Sequence, residues 1–244
     1  MQNNAFSKIA HYYDIYSGAS YDDYLSFILR CLEGRNVEDI LDLGCGTGTL
    51  TALLGAKGYG MVGVDSSEEM LSEAKSKYKD ILFLQQDMRE FELYGTVQAA
   101  VCTYDGFNYL HNVDDLKKVF MLLHNYLEPH SLLIFDINTL YKYKNILSDN
   151  AFVYENEDDM LIWQNYFNEK TKNCNFYLTL FEKQKDGKYI RSDEFQRQKC
   201  FSVKTVEKTA SECGFELKSI FGGLCGEEFT DKSEKAIFVM ERGE

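Results

Sequence analysis

A regular alternation of apolar segments and helical patterns in the first 150 residues is the feature that most constrains the fold. Five short apolar segments predict strands: residues 37–43, 59–65, 81–86, 97–103 and 131–137. Between several of them apolar residues recur at helical spacing, as they do in residues 113–127. Strands that are apolar on both sides and joined by helices are typical of a parallel sheet covered on both faces.

A different pattern occupies residues 151–201, which carry no convincing helix. Apolar residues alternate there with a period of two, and the Asp186-Gly187 pair between two such runs is typical of a hairpin. We therefore predict three or four antiparallel strands, inserted after the fifth strand of the sheet. The alternating residues are Phe176, Leu178 and Leu180 on one face, and Tyr177, Thr179 and Phe181 on the other.

The end of the chain returns to helix and strand. A helix that Gly214 ends is followed by strands at residues 215–221 and 235–241, so the main sheet reaches seven strands. The fold class is therefore α/β, with a doubly wound, mostly parallel sheet. The predicted units are residues 1–150 together with 202–244, and the inserted residues 151–201.

Two serines are predicted to cap helices. Ser20 precedes the second of two helices in the N-terminal segment. Ser66 begins an S-x-x-E pattern with Glu69, which is the pattern of a capping box.

Composition argues against several classes of protein. Of the 244 residues 45% are hydrophobic and 27% are charged, which is typical of a globular protein. There are 39 acidic and 26 basic residues, and no segment is basic, so we expect neither a nucleic-acid partner nor binding to an anionic membrane. The apolar runs are far shorter than the ~20 residues of a membrane helix.

The seven cysteines are scattered, and they include no C-x-x-C pair. An odd number of cysteines in apolar contexts indicates reduced thiols rather than a disulfide framework or a zinc site. The first residues lack the basic and apolar regions of a signal peptide. These features predict a cytoplasmic protein, and they leave its oligomeric state open.

A glycine-rich loop follows the first predicted strand. Residues 42–48 read Asp-Leu-Gly-Cys-Gly-Thr-Gly, so the glycines fall as G-x-G-x-G between a strand and a helix. Glycines there let a ligand approach the main chain, and the N–H groups of the next helix can bind an anion. The dinucleotide pattern G-x-G-x-x-G fails because Thr49 stands at the third glycine position, which argues against a nucleotide-dependent oxidoreductase.

Three carboxylates accompany this loop at the ends of successive strands. Asp42 lies inside an apolar strand, where a charge is costly unless it is hydrogen-bonded or faces a cation. Asp65 ends the second strand, at the position where α/β nucleotide sites place a carboxylate for ribose hydroxyls. Asp87 follows the third strand, where it could accept a hydrogen bond from an adenine amino group.

In combination, DLGCGTG, the acid of VGVD and the acid of QQDM resemble the class I methyltransferases that use S-adenosyl-L-methionine. The resemblance implies a sheet of order 3-2-1-4-5-7-6 whose last strand is antiparallel. It also implies that Asp65 holds the ribose, that Asp87 holds the adenine amine and that Met88 contacts adenine. The cofactor-binding residues expected on this basis are Tyr13, Asp42, Gly44, Cys45, Gly46, Gly48, Asp65, Ser66, Asp87, Met88 and Tyr104.

Motifs that the sequence lacks exclude several classes of methyl acceptor. The only proline is Pro129, so the N/D-P-P-Y/F motif of enzymes acting on DNA bases and glutamine amides cannot occur. The metal-ligand pattern of catechol-type enzymes is only loosely echoed by Asp105, Asp136 and Asn138, so we predict no metal. The N-terminal AHYYDIYSGASYDDYLSFI resembles the Y-D-x-x-Y segment of amino-sugar and glycine-type N-methyltransferases.

This resemblance implies a small-molecule acceptor, a tyrosine that reaches over the cofactor, and a lid formed by residues 151–201. Tyr12, Tyr16 and Tyr109 are the candidate acceptor-binding residues, and His111 is the candidate general base. Two alternatives remain open. The tyrosines could simply pack on the domain, and His111 could be a surface histidine that precedes the helix cap Asn112. Nitrogen is slightly favoured over oxygen as the acceptor atom. A protein or RNA methyltransferase and a non-catalytic S-adenosylmethionine-binding regulator are the alternative functions.

Overall fold

A computed structural model describes residues 6, 8–16, 18 and 20–244 of the chain. A turn of 3-10 helix spans Ala10–Tyr12, and a second spans Gly106–Tyr109. The α-helices are α1 (Tyr13–Tyr16), α2 (Tyr21–Leu32), α3 (Thr49–Gly55), α4 (Glu68–Lys77), α5 (Val113–Tyr126) and α6 (Val203–Glu212), and a π-helical turn spans Lys142–Leu147. The strands are β1 (Asp39–Leu43), β2 (Gly60–Asp65), β3 (Leu82–Gln85), β4 (Val97–Cys102), β5 (Leu127–Asn138), β6 (Ala151–Glu155), β7 (Asp159–Asn168), β8 (Asn173–Lys183), β9 (Tyr189–Lys199), β10 (Phe215–Phe221) and β11 (Lys235–Arg242).

The main sheet has seven strands in the order β3-β2-β1-β4-β5-β11-β10. β11 runs antiparallel to both of its neighbours, whereas β1 to β5 pair in parallel. Because β10 and β11 are the sixth and seventh strands of this sheet, the predicted order 3-2-1-4-5-7-6 and the α/β fold class are confirmed.

Helices cover both faces of the sheet, and alternate strand residues face them. Leu41 belongs to the apolar cluster that α5 and α6 complete, whereas its neighbour Ile40 belongs to the cluster under α2 and α3. Both residues are fully buried. Burial on both faces explains why these strands are continuous apolar runs rather than alternating ones.

The inserted residues form a second, four-stranded antiparallel sheet of order β6-β7-β8-β9. Phe176, Leu178 and Leu180 are buried on one face, while Tyr177 on the other is 48% exposed. Gly187 has a φ of 82°, which fits the hairpin predicted between β8 and β9. The function of this sheet as a lid stays a prediction.

One predicted helix cap is wrong by one residue, and another is at the predicted residue but lacks its side-chain hydrogen bond. The N-cap of α4 is Ser67, whose Oγ accepts a hydrogen bond from the Met70 N–H at 3.2 Å, so Ser66 is not the cap. Ser20 does precede α2, but its hydroxyl donates to Asp23 and caps no backbone group. By contrast, Gly214 has a φ of 87° just after α6, as predicted for a helix end.

The fifth strand starts at Leu127 rather than at residue 131, and it includes Pro129. The pairing with β4 shifts between Val97 and Ala99, so Pro129 lies at an irregularity of the strand, where proline is tolerated. No helix in the described part of the chain is both long enough and apolar enough to cross a membrane.

Candidate active site

A cavity of 860 Å³, here called the first cavity, opens at the carboxyl ends of β1 to β4. Most of the residues predicted to bind the cofactor line it, together with two of the other candidates. These residues are Tyr13, Asp42, Gly44, Cys45, Gly46, Asp65, Ser66, Asp87, Met88, Tyr104, Tyr109 and His111. Gly48 does not line it.

The glycine loop is folded back onto the end of β2. The N–H groups of Gly44 and Cys45 both donate to the carbonyl of Val64, at 2.7 and 3.1 Å. Gly44 has a φ of 80°, a conformation that residues with a Cβ rarely adopt. Gly48 has a φ of 74°, and a Cβ there would lie 2.6 Å from the ring of Phe83, so close packing on α4 and β3 accounts for this glycine.

Asp65 holds the loop in place through both of its carboxylate oxygens. Oδ2 accepts a hydrogen bond from the Gly46 N–H at 2.9 Å, and Oδ1 accepts one from the Ser67 N–H at 2.8 Å. Burial raises the pKa of Asp65, although these backbone donors oppose the rise. A carboxylate has lone pairs for further donors, so Asp65 can still accept hydroxyl hydrogen bonds from a ligand in the cavity.

Asp42 is 2% exposed, and its Oδ2 accepts a hydrogen bond from the Thr51 hydroxyl at 2.6 Å. Burial raises the pKa of Asp42 to about 7, because one hydroxyl compensates poorly for lost hydration. A cationic group bound nearby would favour the charged form of this carboxyl.

Asp87 is engaged by Arg89, a residue that the sequence analysis missed. The Arg89 side chain and its backbone N–H both donate to Oδ1, each at 2.9 Å, and these contacts lower the pKa of Asp87. Both residues line the first cavity. The sequence signal that could have identified Arg89 is its position two residues after the carboxylate of Asp87.

Asp14, in the tyrosine-rich N-terminal segment, fixes α1 to the glycine loop. Its Oδ1 accepts hydrogen bonds from the hydroxyls of Thr47 and Tyr21, each at 2.7 Å. Lys77 on α4 pairs with its Oδ2 at 3.0 Å. The segment therefore lies over the first cavity because Asp14 holds it there.

A second cavity, of 350 Å³, lies next to the first and shares four lining residues with it: Phe6, Tyr13, Tyr104 and Tyr109. Its remaining walls come from the N-terminal segment, the end of β5 and the inner face of the inserted sheet, including Trp163 and Phe176. The ring of Phe6 lies 5.4 Å from the rings of both Tyr13 and Tyr109. Aromatic rings therefore stand between the two cavities.

Tyr12 and Tyr16 line the second cavity, but their hydroxyls contact the inserted sheet. Tyr12 donates to the carboxylate of Glu182 at 2.9 Å, and Tyr16 accepts a hydrogen bond from the Asn156 amide at 2.7 Å. These tyrosines thus join the N-terminal segment to the inserted sheet, and only their rings remain for a ligand.

Charged groups form one wall of the second cavity. Lys235 donates to Asp136 at 2.7 Å and to the Tyr24 hydroxyl at 2.9 Å, and it lies 3.6 Å from Asp105. Asp105 also accepts a hydrogen bond from the Gln198 amide, and it has a φ of 57°, directly after Tyr104 at 55°. Two successive non-glycine residues in this conformation store strain, a feature that clusters at functional sites.

Two buried donors at this site have no hydrogen-bond partner among the described residues. They are the hydroxyl of Tyr104, a residue that lines both cavities, and the indole N–H of Trp163, a residue that lines the second. Buried polar groups are nearly always paired, so these two unpaired donors are unusual features of the residues that line the cavities.

Comparisons with known proteins agree on one family. Residues 40–130 match a methyltransferase domain family. A protein described as a methyltransferase in Geobacillus sp. (strain WCH70) is 32% identical over 245 residues, covering 97% of this chain and 99% of the relative. The crystal structure of an S-adenosylmethionine-dependent methyltransferase from Clostridium acetobutylicum ATCC 824 matches with a TM-score of 0.88 and 28% identity, over 97% of this chain and 98% of that one. This chain is an S-adenosylmethionine-dependent methyltransferase.

The fold of this methyltransferase also resembles that of a sugar N-methyltransferase. The X-ray structure of KedS8 from Streptoalloteichus sp. ATCC 53650 matches with a TM-score of 0.79 and 18% identity, over 96% of this chain and 92% of that one. At this identity the likeness concerns the fold alone.

The first cavity of the methyltransferase fits S-adenosylmethionine. The carboxylates of the buried Asp42 and the half-buried Asp65 suit a cationic amino group and ribose hydroxyls, and glycine at position 44 keeps side-chain atoms away from the main chain there. The apolar side chain of Met88 lies beside Gly44, with its Cε 3.7 Å from the position that a Cβ would take.

His111 is exposed and lines the first cavity but not the second. Asp105 is the carboxylate that the described residues place in the second cavity. In the sequence Asp105 stands out only as part of a loose metal-ligand pattern, because the residues that surround it in the structure come from distant parts of the chain.

Among the residues that the structure describes, no group of three or more histidine, cysteine, aspartate or glutamate side chains is placed to hold a metal ion. Asp105 and Asp136 instead contact Lys235, and Asn138 accepts a hydrogen bond from Lys142 at 2.9 Å.

Proposed function

We propose that this methyltransferase transfers the methyl group to a nitrogen atom of a small molecule held in the second cavity, with an oxygen acceptor as the less favoured case. The observation that carries the proposal is that the two cavities meet at Phe6, Tyr13, Tyr104 and Tyr109. A cofactor in the first cavity and an acceptor in the second would meet at these rings. Alignment of this kind can lower a barrier by roughly 7–11 kcal/mol.

S-adenosylmethionine supplies a methyl group on a positively charged sulfur, so the reaction needs positioning more than acid catalysis. Asp65 would accept hydrogen bonds from the ribose, while Asp87 and Met88 would contact the adenine. Ser66 and the loop residues from Gly44 to Gly46 would lie along the methionine part. Gly48 would act only through packing.

The aromatic rings between the cavities would bind the cationic sulfur and exclude water. Tyr13 and Tyr109 line both cavities at this boundary, and a cation over an aromatic ring is stabilised by roughly 0.5–2 kcal/mol. Burial raises the pKa of both phenols well above the ordinary value, so both rings stay neutral. Neutral phenols at this position act as donors and as walls, and not as bases.

Asp105 is the group that would take the proton from an amine acceptor. Burial raises the pKa of its carboxyl, although Lys235 and Lys142 oppose the rise, and a raised pKa makes a carboxylate a better proton acceptor. A carboxylate in the second cavity also attracts an ammonium form of the acceptor. The attraction between this carboxylate and an ammonium group favours nitrogen over oxygen as the acceptor atom. We therefore propose Asp105, in place of His111, as the base.

The size and closure of the second cavity support a small acceptor. At 350 Å³ it falls within the range of small-molecule pockets, and the inserted sheet covers it with Trp163 and Phe176. The sugar N-methyltransferase KedS8 has a fold that matches over 96% of this chain, so a methyltransferase of this architecture does act on a sugar nitrogen. We propose the lid function of residues 151–201 on this basis.

Affinity for S-adenosylmethionine is expected to depend on the charge of Asp42. Because the pKa of Asp42 is about 7, its carboxyl becomes charged as pH rises through that value. The cationic amino group of the cofactor binds the charged form better, so affinity should be roughly ten-fold higher above this pKa than below it.

Calorimetric titrations over this pH range measure the effect. Asp42→Asn should remove the pH dependence, and Asp39→Asn, at the exposed start of the same strand, should leave it unchanged. A pH dependence that persists in Asp42→Asn would place the titrating group elsewhere.

A methyl-transfer screen tests the proposed function. The protein is incubated with S-adenosylmethionine and panels of amines, amino sugars and phenols, and S-adenosylhomocysteine formation is measured. We expect turnover of at least one amine and little or none of phenols. Turnover of peptides or RNA, with none of small molecules, would contradict the proposal.

A further inference from the structure

Lys142 is a charged residue of the second cavity that the proposed reaction does not use. It starts the π-helical turn after β5, and its side chain lines the cavity. Nζ donates to the Asn138 amide oxygen at 2.9 Å, and the described residues offer it no ion pair. An ammonium group has three donors, and this contact uses one of them.

The carboxylates near Lys142 are committed to a different lysine. Asp136 accepts hydrogen bonds from Lys235, from the Tyr24 hydroxyl and from the Asp105 N–H, at 2.7, 2.9 and 3.1 Å. Asp105 lies 3.6 Å from Lys235, and its other oxygen accepts the Gln198 amide. Both carboxylates therefore lie closer to the charge of Lys235 than to that of Lys142.

The pKa values of the two lysines consequently shift in opposite directions. Burial alone would lower the pKa of Lys235, but Asp136 raises it well above its ordinary value. The pKa of Lys142 is lowered by burial, although Asp105 and Asp136 oppose this. Among the described residues, Lys235 has carboxylates within 4 Å, whereas the half-buried Lys142 has none.

We propose that Lys142 binds an anionic group of the methyl acceptor, a carboxylate or a phosphate. This rests on the proposed function in so far as the second cavity is the acceptor site. Among the described residues, the charged side chains that line that cavity are Asp105, Lys142 and Lys235, and Lys235 pairs with the buried Asp136, so Lys142 is the ammonium group of this lining without a carboxylate at ion-pair distance. The acceptor is therefore an amine that also carries an acid group: its nitrogen lies towards Asp105, and its anionic end lies on Lys142.

The chain contains a reporter for this test, since Trp163 is its one tryptophan and lines the second cavity. With the first cavity saturated by S-adenosylhomocysteine, tryptophan fluorescence follows binding in the second. The probes are two matched pairs, tyrosine with tyrosinamide and glucosamine 6-phosphate with glucosamine. The first pair tests a carboxylate, and the second tests a phosphate on a sugar amine.

In at least one pair we expect the acid to bind roughly ten-fold more tightly than its neutral partner, as for a charge-assisted hydrogen bond. Lys142→Met should abolish that preference, and Lys142→Arg should retain most of it. Lys144→Met is the matched control, because Lys144 is exposed on the same turn and pairs with Glu169 at 2.9 Å. It should bind as the unmodified protein does.

Equal affinities within both pairs, or no binding of either acid, would overturn the proposal. A preference for the acid that survives in Lys142→Met would also overturn it. The proposed function is tested separately by the methyl-transfer screen. Binding preference without amine methylation would leave Lys142 as an anion site and reject the reaction, whereas methylation of amines without the preference would do the reverse.

Discussion

Replacing Asp105 with asparagine is expected to lower kcat/KM for methyl transfer by roughly 100-fold or more, while affinity for S-adenosylmethionine stays unchanged. The variant removes the carboxylate that would accept the proton, and it keeps nearly the same shape. Asparagine tolerates the φ of 57° at this position, so the backbone conformation should survive. Steady-state kinetics with the acceptor found in the screen, combined with calorimetry for the cofactor, measure both quantities.

Asp149→Asn is the matched control for this experiment. Asp149 is also an aspartate with a positive φ, of 49°, but it is exposed and lines neither cavity. His111→Gln serves as the comparison with the base that the sequence suggested, and we expect it to retain most of the activity. A strong loss in His111→Gln with normal turnover in Asp105→Asn would reverse the assignment of the base.

Replacing Gly44 with valine is expected to abolish detectable binding of S-adenosylmethionine. Gly44 has a φ of 80°, which a β-branched residue adopts only with strain. The added side chain would also project towards Met88, where the cofactor is expected to lie against the loop. Calorimetry with S-adenosylhomocysteine and circular dichroism measure binding and folding in the same preparations.

Gly187→Val is the control for the effect of backbone strain alone. Gly187 has a φ of 82°, almost the same conformation, but a Cβ there meets nothing within 4 Å, and the residue is exposed in the turn between β8 and β9. This variant should lose stability and still bind the cofactor. Normal cofactor affinity in a folded Gly44→Val protein would show that the loop does not contact the ligand.

The sheet and the first cavity could be predicted because they are built from local signals. Each strand is a continuous apolar run, and Asp42, Asp65 and Asp87 follow or lie in successive strands of a parallel sheet. Since the carboxyl ends of such strands meet at one edge, residues far apart in the chain were expected to converge there. The inserted sheet was equally readable, because a period of two and the Asp186-Gly187 pair are short-range features.

The N-cap of α4 was predicted at the wrong residue because two neighbouring serines could both occupy that position. Ser66 and Ser67 both precede α4, and the S-x-x-E pattern favoured the first. In the structure Asp65 binds the Ser67 N–H, which turns the chain so that Ser67 becomes the cap and Ser66 lines the first cavity. No one-dimensional pattern contains that hydrogen bond.

Most of the second cavity could not be predicted from the sequence. The bond between Asp105 and Gln198 spans 93 positions, and the contact of Lys235 with Asp136 spans 99. Neither pair has a local signal, since the first forms only when the inserted sheet reaches the end of β4, and the second only when β11 pairs with β5. For the same reason Lys142 reads in the sequence as an ordinary surface lysine, and only its position in the cavity gives it a role.

A crystal structure of the protein with S-adenosylhomocysteine tests the central claim most directly, because it shows whether the two cavities meet at the reacting atom. We expect the ribose hydroxyls to lie within hydrogen-bond distance of Asp65. We also expect the sulfur to lie at the boundary formed by Tyr13, Tyr104 and Tyr109, with an open path to Asp105. A sulfur that is closed off from the second cavity by these rings, or a ribose placed away from Asp65, would contradict the account.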